Sequence, residues 1–222
     1  MKMDYELTDI TLVVDRSGSM VSMRSEAQNG INQFIKEQKK AVGKANLTLV
    51  QFDTEYEFVH RGKDIQKVGK YKLMPRGMTA LLDAMGRAIE ETGSRLRDMP
   101  KDKRPGTVVF VVVTDGCENS SREYTKETIK QMVEHQRNVY NWQFLFLGAD
   151  LDTFADALSY GFTWDTVAIY DAAQVGTAYT LTSSKIAETR SLAYYNGEAG
   201  AIAYTNEDRE QLKDNTGTTL DK

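Results

Sequence analysis

An α/β fold, with a doubly wound and mostly parallel central sheet, one antiparallel edge strand and helices on both faces, is what this sequence predicts. Three observations predict it. Short β-branched apolar runs alternate along the chain with longer segments of helical periodicity, the pattern of strand–helix–strand units. The run Val108-Val109-Phe110-Val111-Val112-Val113 lacks polar alternation, as expected of a central strand covered on both faces. Two strand-like runs, 47–52 and 55–60, are joined only by Asp53-Thr54, a link so short that they must run antiparallel.

In chain order, the first strand is expected over 9–14, where Ile10-Thr11-Leu12-Val13-Val14 forms an apolar run. A helix over 24–42 follows, because Ala27, Ile31, Phe34, Ile35 and Gln38 recur at helical spacing and Gly43 stands at its end. After the hairpin, residues 61–77 are basic, glycine-bearing and irregular, and they lead through Pro75-Arg76-Gly77-Met78-Thr79 into a helix over 80–99 that buries Leu81, Leu82, Met85, Ala88, Ile89 and Leu96. The strongest strand, 107–114, ends at Asp115-Gly116. Two further pairs follow: helix 125–140 with strand 142–147, and helix 153–160 with strand 166–169. A last helix is expected over 172–189, weakened in its middle by Thr180-Leu181-Thr182-Ser183-Ser184. Residues 1–190 are therefore read as one domain. Residues 191–222 are read as a polar tail, weakly ordered or a small appendage, since they hold too few apolar residues for a core of their own.

Composition narrows the function classes. With 222 residues, 41% of them hydrophobic, the chain can bury one substantial core. A net charge of -4 argues against a general nucleic-acid binder, which needs a basic surface. The run Arg61-Gly62-Lys63 through Lys67, Lys70 and Lys72 contains Tyr71, but Asp64 interrupts it and no aromatic ladder accompanies it, so it reads as a solvated loop. No apolar stretch reaches the roughly 18 residues of a membrane span, and the residues after Met1-Lys2-Met3-Asp4 form no apolar leader. Together with a single cysteine, Cys117, this gives the expectation of an intracellular, cytoplasmic protein.

The chemistry concentrates at strand ends. Asp15-Arg16-Ser17-Gly18-Ser19 follows the first strand and aims three oxygen donors at one point. Oxygen donors without sulfur or imidazole suit a hard divalent cation, magnesium, calcium or manganese. In an open parallel sheet, ligands bind outside the carboxyl ends of the strands where the strand order reverses. Asp115 ends the central strand and Thr79 stands at a loop-to-helix entry, so Asp15, Ser17, Ser19, Thr79 and Asp115 form the candidate metal site. A cation held largely by neutral hydroxyls is under-neutralised and retains affinity for an anion. Around it, Asp53 is a candidate for the rim, although such an Asp more often starts a turn, and the stretch Glu118-Asn119-Ser120-Ser121 is another, with Ser120 or Ser121 equally able to cap the helix that follows; Arg16 must point away from the cation, toward solvent or an acidic partner.

Asp15-x-Ser17-x-Ser19, Thr79 within Gly77-Met78-Thr79-Ala80-Leu81, and Thr114-Asp115-Gly116 together resemble the metal-ion-dependent adhesion site of von Willebrand factor A domains, over about 4–173. The resemblance implies a Rossmann-like fold and coordination of Mg²⁺ by the hydroxyls of Ser17, Ser19 and Thr79. Asp15 and Asp115 would hold it directly or through water, and an Asp or Glu of a protein partner would take the sixth position. Among such proteins the chain looks closest to intracellular bacterial and phage members of the tellurite-resistance-associated kind.

Two other functions compete. A metal and an aspartate at a strand end also serve phosphoester hydrolysis, with Asp15 as nucleophile. Enzymes of that type carry a second acid two residues on, where this chain has Ser17, and no Ser-His-Asp order, lysine-bearing phosphate loop or HExxH helix is present. A non-enzymatic binding module is therefore expected. The third reading is a scaffold or self-assembly subunit with a structural metal.

Overall fold

The computed structural model describes residues 3–213. Six strands form one sheet: β1 (Asp4–Asp15), β2 (Lys44–Phe52), β3 (Tyr56–Asp64), β4 (Pro105–Val113), β5 (Gln143–Gly148) and β6 (Val167–Ile169). Their spatial order is β3-β2-β1-β4-β5-β6, and every pair is parallel except β2 with β3. The expected fold class is what the chain adopts. The helices are α1 (Arg24–Lys40), α2 (Leu81–Asp98), α3 (Lys126–Tyr140), α4 (Leu151–Ser159), α5 (Val175–Asn196) and α6 (Asn206–Gln211). None of the described helices is long and apolar enough to cross a membrane.

The period of two along β1 divides the interior into two cores. Ile10, Leu12 and Val14 face α1 and α5, while Val13 lies in the opposite core with α2, α3 and α4. β4 divides in the same way: Val109, Val111 and Val113 enter the first core, and Val108, Phe110 and Val112 the second. The polar residues interspersed in β1 meet α2. Thr11 shares a 2.9 Å hydrogen bond with Thr92, and Asp9 pairs with Arg95.

The chain departs from expectation at several ends. β1 begins at Asp4 rather than residue 9, because its first residues pair with β4 and β2 despite their polarity. α5 runs on to Asn196 across the expected boundary at 190/191, through the hydroxyl-rich stretch. The hydroxyls there are satisfied inside the helix or by neighbours: Thr180 and Ser184 donate to the carbonyls of Gly176 and Thr180, Thr182 bonds Tyr204, and Ser183 accepts from Gln38. Beyond α5, Ile202, Tyr204 and Leu212 are buried in the first core, so 198–213 packs onto the domain instead of standing off as a tail. The remainder of the expected tail, 214–222, lies outside the described residues.

Asp208 fastens this C-terminal segment. Burial alone would raise its carboxyl, but the Lys185 ammonium at 2.5 Å and the Thr205 amide at 2.6 Å hold it below the ordinary carboxylate value. A carboxyl depressed in the folded state contributes stability above its unfolded pKa, about 3.9, and loses it as pH falls through the folded value. Acidification below about pH 4 is therefore expected to loosen 198–213 before the sheet. Faster amide exchange in this segment than in β1 and β4, reproduced near neutral pH by Asp208→Asn, is the expected observation; uniform exchange across the chain would contradict it.

Candidate metal centre

β1 is flanked by β2 on one side and β4 on the other, so the strand order reverses between β1 and β4. The crevice at their carboxyl ends receives Asp15 from β1 and, two residues past β4, Asp115. Asp15 is completely buried and both its oxygens are held: Oδ1 accepts from the Ser17 amide at 2.6 Å and Oδ2 from the Thr114 hydroxyl at 2.5 Å. Burial pushes its carboxyl up to about 6, against the hydrogen bonds from Thr114 and Ser17 and with a smaller push from Asp115.

The hydroxyls follow from the turn. Ser17, extended at φ −60 and ψ 168, precedes a short 3₁₀ turn over Gly18–Val21, which brings Ser19 back beside it. Ser17 Oγ lies 2.9 Å from Ser19 Oγ, and Ser19 Oγ donates to Asp115 Oδ1 at 2.7 Å. Burial raises the Asp115 carboxyl, Ser19 opposes this, and the charge of Asp150 adds to the rise. Thr79 borders the same space: a Cβ built on Gly116 would lie 3.8 Å from Thr79 Oγ1 and 3.9 Å from Ser19 Oγ. The structure thus brings all five expected residues to one end of the β1–β4 crevice.

Thr79 is held there from two directions. Its loop is sewn to the β1 turn by Gly18 N to Gly77 O (3.1 Å) and Arg76 N to Arg16 O (2.8 Å), and to the hairpin by Ala80 N to Asp53 O (2.7 Å). Gly77, at φ +69, is required there, because a Cβ would come within 2.8 Å of Thr54 Oγ1. From the other side, Asn119 Oδ1 accepts from the Thr79 amide (2.9 Å) and the Asn119 amide donates to the Thr79 carbonyl (3.0 Å). Glu118 accepts from the amides of Leu82, Ser120 and Ser121, which fixes the loop after β4 onto the start of α2. The cap of α3 is Thr125, not Ser120 or Ser121.

Sequence reasoning misassigned Arg16 and left the full roles of Asp53 and Thr114 unread. Arg16 neither faces a partner nor solvent: it is buried and ion-paired with Asp53 at 2.8 Å and Glu57 at 3.0 Å. Asp53 takes Arg76 as well, at 2.7 Å, and its Oδ1 accepts from the Glu55 amide at 2.8 Å, so it starts the turn as expected and serves as a counter-ion, not as a rim carboxylate. Thr114, next to Asp115 in sequence, is the residue that fixes Asp15, and also accepts from the Gly116 amide at 3.2 Å. Its signals were a hydroxyl at the end of an otherwise apolar strand and its place before Asp115 in the motif. Tyr71 is buried and donates to Gln51 at 2.8 Å, so the basic run 61–72 offers no stacking platform there.

The donor set is chemically consistent with a hard cation. Two carboxylates share a small space with three hydroxyls, and burial raises both carboxyls, with smaller pushes from Asp115 on Asp15 and from Asp150 on Asp115. Among the described residues no group of three or more His, Cys, Asp or Glu forms a metal-holding cluster, so any ion here depends on the hydroxyls.

This strand order, with helices on both faces, is the Rossmann-like fold of von Willebrand factor A domains. Proximal thread matrix protein 1 from the mussel byssus, in a form with a zinc-occupied MIDAS motif, gives a TM-score of 0.53 at 17% identity, covering 79% of this chain and 46% of its own. The von Willebrand factor type A protein of Catenulispora acidiphila gives 0.55 at 17% identity, covering 80% of this chain and 42% of its own. Manganese-loaded TRAP protein of Plasmodium vivax gives 0.54 at 17% identity, covering 78% of this chain and 72% of its own. The chain thus spans less than half the length of the first two. By sequence it matches no family model and no curated protein.

Proposed function

We propose that the chain is a metal-dependent protein-binding module in which Asp15, Ser17, Ser19, Thr79 and Asp115 hold a divalent cation, with Mg²⁺ the expected ion. The observation that carries this reading is the linked set Ser17–Ser19–Asp115, at 2.9 and 2.7 Å, beside a buried Asp15 at the sheet's switch point. A bound cation supplies a Lewis-acidic position for an acidic side chain of a partner protein. The protein's own residues do the rest. Thr114 and the Ser17 amide orient Asp15, Asn119 orients Thr79, and the buried Arg16–Asp53 pair stiffens the turn that carries the serines. The zinc- and manganese-loaded neighbours support a divalent ion in this fold.

A hydrolytic role for Asp15 lacks its acid partner: Ser17 stands two residues on, where enzymes of that type carry a second acid. Placement among intracellular bacterial and phage proteins of the tellurite-resistance-associated kind rests on the motif resemblance and belongs to the same proposal.

Thermal unfolding with and without Mg²⁺ or Mn²⁺ tests the metal. At about a hundredfold excess over Kd, binding to the folded state alone adds about 2.7 kcal/mol, a rise of roughly 5–10 °C for a chain of this size. The rise is expected to vanish in Asp15→Ala and, with less risk to folding, in the exposed Ser19→Ala. A shift of the same size in both variants would overturn the site.

A further inference from the structure

A groove opens between α2 and α3 at the end of the domain opposite the candidate metal centre, where Pro105 begins β4 and Trp142 precedes β5. It encloses about 920 Å³, within the roughly 300–1,000 Å³ of small-molecule sites. Its floor is apolar: Ile89 and Leu96 of α2, Val108 of β4, Met132 of α3 and Trp142. Apart from Met132 these are at most 8% exposed, so the floor is a narrow slot that admits a chain or a flat ring and not a helix of about 10 Å diameter. Along α3 the lining runs from Thr128 to Tyr140, about 18 Å of helix and enough for an extended acyl chain.

Gly93, inside α2, borders this slot. A glycine within a helix costs stability relative to alanine, and it persists where something requires it. Gly86 of the same helix has a packing reason, since a Cβ there would come within 2.5 Å of the Tyr124 ring. Gly93 has none: the nearest atoms to a Cβ are Gln136 Nε2 at 3.7 Å and Trp142 Cη2 at 4.0 Å, both belonging to the lining of the groove. What the missing side chain provides is width beside Trp142.

The end of the groove nearest Pro105 is basic. Arg104 is half-buried there, and its guanidinium is held by two carbonyls, Nε donating to Met99 at 3.1 Å and Nη2 to Arg97 at 2.6 Å. Among the described residues no carboxylate pairs with it. Arg97 beside it is exposed, with Ser94 at 3.0 Å and its own neighbour Asp98 at 3.6 Å. The one carboxylate among the described lining residues, Glu90, stands about 10 Å further up α2.

We propose that the groove binds a small amphipathic organic acid, an acyl-chain carboxylate whose chain lies along Gly93, Met132 and Trp142 and whose carboxylate is held by Arg104 with Arg97. A slender apolar slot ending in a fixed guanidinium without an anion of its own matches a ligand with an apolar body and one acidic end. The site shares no residue with the candidate metal centre and does not depend on it.

The test titrates the whole chain calorimetrically near neutral pH, in chelator, with decanoate, decanol and decyltrimethylammonium, each below its micelle concentration. Decanoate is expected to saturate one site and to bind about tenfold more tightly than decanol, the increment of one charge-assisted hydrogen bond, with decyltrimethylammonium weakest. The decanoate-to-decanol ratio is expected to fall partway in the exposed Arg97→Gln and toward unity in Arg97→Gln/Arg104→Gln, while decanol affinity holds. Gly93→Leu, which fills the slot without meeting an obstruction, is expected to abolish binding of both and to leave the unfolding temperature equal or higher. No saturable binding of decanoate, decanol bound as tightly as decanoate, or binding unchanged in Gly93→Leu would each overturn the proposal. A ratio unchanged in both arginine variants would overturn the carboxylate assignment. Binding of an acidic amphipathic helical peptide, lost in Gly93→Leu and without any binding of decanoate, would give the groove to a protein helix and overturn it as well.

Discussion

Asp9→Leu is expected to destabilise the fold by about 3 kcal/mol or more, the lower part of the range for breaking a buried ion pair by removing one partner. Asp9 is completely buried in β1 and accepts two hydrogen bonds from Arg95 of α2, at 2.8 and 2.9 Å. Burial raises its carboxyl, with Arg95 working against that rise, so the pair is a costly one that persists because each charge satisfies the other. The guanidinium is enclosed from above by β3: at Gly62, with φ +53, a Cβ would come within 2.7 Å of Arg95 Nε. Unpaired, Arg95 would keep its charge on a side chain only 21% exposed. The double substitution Asp9→Leu/Arg95→Met removes both charges and is expected to recover most of the loss. Equilibrium urea unfolding of the two variants checks this. A single substitution that costs less than about 1 kcal/mol, the level of a surface pair, would show that the ion pair is not desolvated.

Gly30→Val is expected to cost about 1–3 kcal/mol through overpacking, toward the upper end because the obstruction is rigid. α1 and α5 cross closely at this point. A Cβ on Gly30 would lie 2.7 Å from Cδ2 of the buried Tyr179 ring and 3.1 Å from the Gly176 Cα, so a helix must move to admit it. Gly176, on the facing helix, provides the internal control. A Cβ there meets only the Glu26 carbonyl oxygen, at an ordinary 3.8 Å, and Gly176→Ala is expected to be neutral or to stabilise by up to about 1 kcal/mol from helix propensity. Thermal or urea unfolding of the two variants separates a steric requirement at one glycine from an entropic liability at the other. Equal effects would contradict the crossing geometry.

The sheet was legible because its strands are apolar and its connections helical. Val108 to Val113 announced a doubly covered strand, and Asp53-Thr54 announced the antiparallel edge. Element ends were less legible wherever tertiary partners extend an element past its local pattern. The polar start of β1 is held by pairing with β2 and β4, and the hydroxyl-rich middle of α5 by bonds to Gln38 and Tyr204. The C-terminal segment looked too polar for a core because its apolar residues are sparse. Ile202, Tyr204 and Leu212 do not make a core of their own but complete an existing one.

The candidate site divides in the same way. By itself the sequence determined the donor chemistry: a carboxylate and two hydroxyls follow one strand, and a second carboxylate follows another, a set of oxygen donors without nitrogen or sulfur. Tertiary structure alone decided the rest. It directed Arg16 inward onto Asp53 and Glu57, made Thr114 the partner of Asp15, and docked Thr79 through Asn119, a residue 40 positions away. The reason is that residue type and local spacing fix which atoms can coordinate or ionise. Which groups face one another across a crevice depends on how distant loops pack, and that packing is written in no single segment of the chain.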